Sequence, residues 1–151
     1  MKRDNSYKLL LIMAFFHLII MYIIMYSNID VFSNLFLNLN KFYMAVMMTL
    51  PMIAIEIGLM TSMYKNKKKN YFFIFGAIFL LIIFFLFIRN QTGIEDKQFL
   101  KSMIPHHSSA ILMCEQANIE DQEILELCDS IIQSQQQEIN QMKKILDRMR
   151  N

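Results

Sequence analysis

The sequence predicts an all-α protein in which three transmembrane helices are followed by an extracytoplasmic antiparallel helical hairpin. Three observations carry this. The 151 residues are 55% hydrophobic with only three glycines and two prolines, a composition suited to a membrane rather than to a soluble domain. Residues 1–89 contain three apolar runs close to the roughly 20 residues that a bilayer demands of a helix. Beyond residue 89, apolar residues recur at helical spacing among charged ones, the pattern of two amphipathic helices.

The first apolar run covers about residues 9–26, the second about 42–64 and the third about 71–88. A signal peptide is the competing reading of the first run. The run is too long for one, and Ser27-Asn28-Ile29-Asp30 offers no small-residue cleavage site, so it is read as a retained helix. Pro51 is expected to kink the second span.

Orientation follows from the loops. Lys2, Arg3 and Lys8 precede the first span, and Lys65, Lys67, Lys68 and Lys69 fill the tight turn between the second and third. The loop between the first two spans carries only Lys41. Lysine and arginine are retained on the cytoplasmic side, which places the N-terminus inside and residues 90–151 outside. The expected location is a bacterial cytoplasmic membrane, crossed three times and in contact with lipid. Residues 1–89 carry a net charge of +6 and residues 90–151 a net charge of −4. An acidic outer domain excludes a nucleic-acid binder, which concentrates positive charge on its folded part.

Within the spans, His17 and Glu56 are the ionisable groups away from the ends. Counted from Lys8 and Tyr64, they sit at similar depth, so a His17–Glu56 hydrogen bond is expected to pack the first two spans together. Met21, Met25, Met44, Met47, Met48 and Met52 fall toward the outer halves of these spans, where thioethers serve as ordinary apolar residues or as a soft-metal relay.

The outer domain begins with Thr92 and Glu95, spaced as a capping box, so a helix is expected to start there. On a wheel centred on Met103, Asp96, Phe99, Leu100, His107, Ala110 and Cys114 share a face about 60° to either side. His106 and Met113 lie on one flank and Ile104 and Ile111 on the other; Lys97, Lys101, Ser108 and Glu115 point away. Pro105 frees the carbonyl of Lys101. Residues 117–121 break the pattern, and a second helix follows with Ile124, Leu127, Cys128, Ile131, Gln135, Glu138, Met142, Ile145, Leu146 and Met149 in one stripe. Folding about residue 119 brings Gln135 and Glu138 within reach of the histidine turn, where they would orient imidazoles. A hairpin of roughly 60 residues buries too little surface to stand alone, so it is expected to form a homo-oligomer as a four-helix bundle or to lean on a partner.

By residue type this stretch reads either as structural histidines on a helix or as a soft-metal site. Two adjacent histidines with Met103, Met113 and Cys114 nearby supply imidazole, thioether and thiol donors, all of which Cu(I) accepts. Zinc favours more Cys and His and fewer Met, and the Glu-x-x-His pairs of a di-iron bundle are missing. No Gly-rich phosphate loop and no Ser/His/Asp arrangement is present, so no enzyme is expected. Cys114 and Cys128 differ in distance from the hairpin centre by an axial mismatch of about 6 Å, which argues against a bond within the hairpin. Two small core thiols, ligands or an intermolecular disulfide remain.

Residues 99–114, with Met-Ile-Pro-His-His-x-x-Ala-Ile-x-Met at their centre, resemble the signature of the domain-of-unknown-function 305 family. The likeness continues in Ile131-Ile132-x-x-Gln135-x-x-Glu138-Ile139-x-x-Met142 and covers about residues 94–150. It implies a ferritin-like bundle, of which one hairpin is half. Some members are extracytoplasmic copper-binding proteins with His and Met ligands. Carried onto this chain, that points to Met103, His106, His107 and Met113, with Met142 next. The resulting expectation is a membrane-anchored copper-binding protein, serving copper tolerance or delivery through Cu(I). The alternative is a non-catalytic membrane scaffold that assembles through its hairpin.

Overall fold

Near-continuous Phe, Ile, Leu and Met in the first 89 residues satisfy the backbone within helices and leave apolar side chains on every face. The computed structural model describes residues 5–149, so Lys2 and Arg3 lie outside the described residues. The helices are α1 (Asn5–Ile24), α2 (Leu39–Leu59), α3 (Lys67–Arg89), α4 (Asp96–Gln116) and α5 (Gln122–Arg148), with one 3₁₀ turn at Phe32–Asn34. The first three are long and apolar enough to cross a membrane. The chain forms two compact units, one of Met1–Met25 with Asn40–Thr92 and one of Tyr26–Leu39 with Gly93–Asn151. The hairpin domain expected over residues 90–151 therefore also contains the loop between the first two spans.

In the first unit, Tyr7, Leu10 and Ala14 of α1 pack with Leu50, Ile53 and Ile57 of α2, Ala77 of α3 and Tyr64. Phe15, Phe72 and Phe79 remain exposed, as lipid-facing residues would be. α2 runs on through Pro51. The expected His17–Glu56 bond is replaced: Glu56 accepts a 2.6 Å hydrogen bond from the Tyr64 hydroxyl. The reason is where the helix stops. α2 ends at Leu59 rather than Tyr64, and the following turn folds Tyr64 back toward Glu56 and against Tyr7, ring centroids 5.3 Å apart. Glu56 thus lies near the level of Tyr7, whereas His17 is about 15 Å further along α1 at 1.5 Å per residue.

α3 closes with Gln91 in the left-handed region at φ 49°, where the Gln91 amide reaches the Ile88 carbonyl and the Thr92 amide reaches Phe87. These paired bonds are a Schellman ending, which satisfies the last carbonyls of the helix. Thr92 is used there, so the expected capping box does not form; α4 starts at Asp96 after Glu95, with no side-chain cap.

In the second unit α4 and α5 pair antiparallel over a core of Leu100, Ile104, Ile111, Ile139, Met142 and Leu146. Asp121 caps α5 by accepting from the Ile124 amide at 3.1 Å. The register corrects a second expectation. Cys114 and Cys128 form a disulfide within the hairpin, their Cα atoms 5.3 Å apart. Both ends of the connection, Ala117 and Asp121, are extended. The chain therefore runs outward past the end of α4 before α5 begins, and Gln122–Leu127 overhang as exposed residues. The axis of pairing lies near residue 121 rather than 119, which brings the two cysteines level.

Candidate functional site

α4 is covered on two sides. α5 packs on the face of Leu100, Ile104 and Ile111, and Tyr26–Leu39 packs on the neighbouring one. Ser108, expected to point to solvent, is fully buried. Its hydroxyl donates to the Asp30 carboxylate and accepts from the Asp30 amide at 2.9 Å. Asn34 donates to the same carboxylate at 2.7 Å, and Asn28 to Ser109 at 2.8 Å. Partial burial pushes the Asp30 carboxyl up, but the bonds from Ser108, Asn34 and the Val31 amide outweigh it and hold its pKa below the usual 3.8.

The loop also handles the proline. Pro105 has no amide hydrogen for the Lys101 carbonyl, and Asn38 Nδ2 donates to that carbonyl at 3.3 Å instead. Asn38 is itself buried and donates to Phe36 O at 3.0 Å. The histidine turn thus stands on a helix segment held at Lys101 and Ser108 by residues that precede α2.

On that segment His107 faces α5 and is 9% exposed. Its Nδ1 lies 2.9 Å from Glu138 Oε2. Nδ1 is sealed from solvent and, although Glu138 is close, has no hydrogen bond of good geometry. Burial lowers the His107 pKa from 6.5; the Glu138 charge opposes the shift and His106 adds to it. Burial thus favours the neutral imidazole, with the Glu138 carboxylate close to Nδ1.

The other expected site residues divide. His106 is exposed beside His107, ring centroids 6.0 Å apart. Met103 is half-buried against the hairpin core and Met142 lies within it. Met113 is 67% exposed. Gln135 is half-buried and makes no hydrogen bond to either imidazole among the described residues. Cys114 and Cys128 are held in their disulfide and offer no thiolate. No group of three or more His, Cys, Asp or Glu residues converges among the described residues. Asp30, Ser108 and Asn38 were missed from sequence. Pro105 was the available signal, since a freed carbonyl calls for a donor from elsewhere.

The chain thus combines three helices long and apolar enough to cross a membrane with a disulfide-closed helical hairpin. The chain belongs to the family described as Domain of unknown function (DUF305), whose sequence profile matches residues 88–146. An uncharacterized protein of Acanthamoeba polyphaga mimivirus is 42% identical over 113 residues, 74% of this chain and 72% of that protein. The aligned length exceeds residues 90–151, so the likeness runs into the spanning region. No solved structure matches the chain.

Proposed function

We propose that this protein binds copper as Cu(I) at the His106–His107 turn, displayed by its membrane anchor on the side away from the cytosol, for copper tolerance or delivery. The observation that carries the reading is the 2.9 Å approach of His107 Nδ1 to Glu138 across the hairpin. It sets His107 against a carboxylate of the facing helix, next to the exposed His106. Met103 lies one turn earlier on α4, and Met142 lies in the core of the same hairpin. The disulfide removes the thiols, so the available donors are imidazole and thioether. That set suits Cu(I), whereas a zinc site takes three or four His, Cys or carboxylate donors. Binding rather than catalysis is the proposed role.

Two features support the proposed topology. Three spans place the loop after the first and the chain after the third on one side of the membrane, as the joint folding of Tyr26–Leu39 with the hairpin requires. A Cys114–Cys128 disulfide suits an oxidising compartment. The far side of a bacterial cytoplasmic membrane and the lumen of the endoplasmic reticulum both qualify.

The test is the copper content of the full-length protein after anaerobic Cu(I) loading and desalting. Stoichiometric copper in wild type and its loss in a His106→Ala/His107→Ala variant is the expected result. Equal uptake by the variant overturns the reading.

A second reading, a membrane scaffold that assembles through the hairpin with copies of itself, is favoured by Ile124, Leu125 and Leu127, exposed on the overhang of α5. A crosslinked oligomer that is indifferent to copper and to chelator, and is lost on Ile124→Glu/Leu127→Glu, would support it over the first.

A further inference from the structure

The hairpin unit has a cleft at its open end, where α4 begins and α5 finishes. It encloses about 340 Å³ and is lined by Leu35, Phe36, Leu37, Lys97, Lys101 and Leu146. Four of these are apolar, two are cationic and none is acidic. Lys97 and Lys101 are one helical turn apart on α4, so their ammonium groups project to the same side. Neither has an ion-pair partner among the described residues. Paired cations above an apolar wall match a ligand with a phosphate at one end and hydrocarbon at the other.

Both walls of the cleft are adjacent in sequence to a membrane-length helix. Leu37 stands two positions before the first residue of α2, and Lys97 eight positions after the last residue of α3. The loop that forms the apolar wall also leaves Val31 at 51%, Phe32 at 84% and Leu37 at 60% exposure. Such side chains belong in an acyl–headgroup boundary, with lysines above them at phosphate level.

From this we infer that the cleft binds the headgroup of an anionic phospholipid, with Lys97 and Lys101 on the phosphate and Leu35, Leu37 and Leu146 against the glycerol and upper acyl chain. Free inorganic phosphate satisfies the lysines but leaves the apolar wall uncovered. The inference is independent of the copper reading, since it uses none of the proposed ligands.

The experiment is native mass spectrometry of the full-length protein from micelles doped with equal phosphatidylglycerol and phosphatidylcholine. Wild type is expected to retain one phosphatidylglycerol in preference to phosphatidylcholine. Lys97→Gln/Lys101→Gln should reduce that retention by about fivefold per lysine, while Lys97→Arg/Lys101→Arg keeps it. Lys67→Gln/Lys68→Gln, in the other lysine cluster, should leave the retained lipid in place. Equal retention of the two lipids, or unchanged phosphatidylglycerol in the Gln variant, overturns the proposal. Displacement of the lipid by an equal concentration of inorganic phosphate would reassign the lysines to free phosphate and also overturn it.

Discussion

His107 Nδ1 and Glu138 Oε2 stand 2.9 Å apart, joining a buried imidazole on α4 to a half-exposed carboxylate on α5. If that contact orients a ligand, Glu138→Gln should weaken Cu(I) binding by about 10- to 100-fold while helicity is unchanged. Competition against a colorimetric Cu(I) chelator measures the affinity, and circular dichroism the fold. An unchanged affinity would leave Glu138 as a structural partner alone.

The Cys114–Cys128 disulfide joins cysteines 14 positions apart across the hairpin. Its removal by Cys114→Ser/Cys128→Ser should lower stability by about 3 kcal/mol, and reductant should destabilise wild type but not the variant. Denaturant unfolding with and without reductant reads both. Thiol labelling of unreduced wild type should modify no cysteine.

Asn38 and Pro105 should be coupled. Asn38→Ala strips the Lys101 carbonyl of its donor and should cost about 1–3 kcal/mol. In a Pro105→Ala background the helix supplies its own amide to that carbonyl, so the same change should cost less. A double-mutant cycle on unfolding free energies measures the difference. Strict additivity would show that the Asn38 side chain acts only through its other bonds, from Nδ2 to the Phe36 carbonyl and the Tyr26 hydroxyl.

Acid should weaken the metal-free hairpin in two steps. His107 has its pKa lowered from 6.5, so the unfolded chain binds the proton more readily than the folded one. That contribution is present above about pH 6.5 and is lost as pH falls through the folded value. His107→Gln should flatten stability measured between about pH 7 and 5. Asp30, lowered from 3.8, should lose its contribution only below that value, and Asp30→Asn should remove the lower step alone. An unaltered slope in the first variant would contradict the assignment.

Much of the architecture was legible because its signals are local. Apolar runs mark α1 to α3, and helical spacing marks α4 and α5. The errors share one physical origin, which is that turns decide register. Ending α2 at Leu59 moved Glu56 from His17 to Tyr64. The extended residues Ala117 and Asp121 shifted the hairpin enough to bond the cysteines and bring Glu138 to His107. Glu138 was expected near that histidine from its place in the apolar stripe, but nothing periodic marks Asp30 or Asn38. Their contacts with Ser108 and Lys101 join positions 78 and 63 residues apart, beyond the reach of any helical pattern.

The membership of Tyr26–Leu39 in the hairpin unit bears on how the molecule is made. During synthesis this loop leaves the ribosome long before α4 exists, and on the proposed topology it crosses the membrane ahead of its partner. On the proposed topology, Asp30 and Asn38 meet Ser108 and the Lys101 carbonyl only once the third span is inserted. An inverted third span would strand loop and hairpin on opposite sides of the bilayer. A fragment of residues 90–151 would lack Tyr26–Leu39, a part of its own fold.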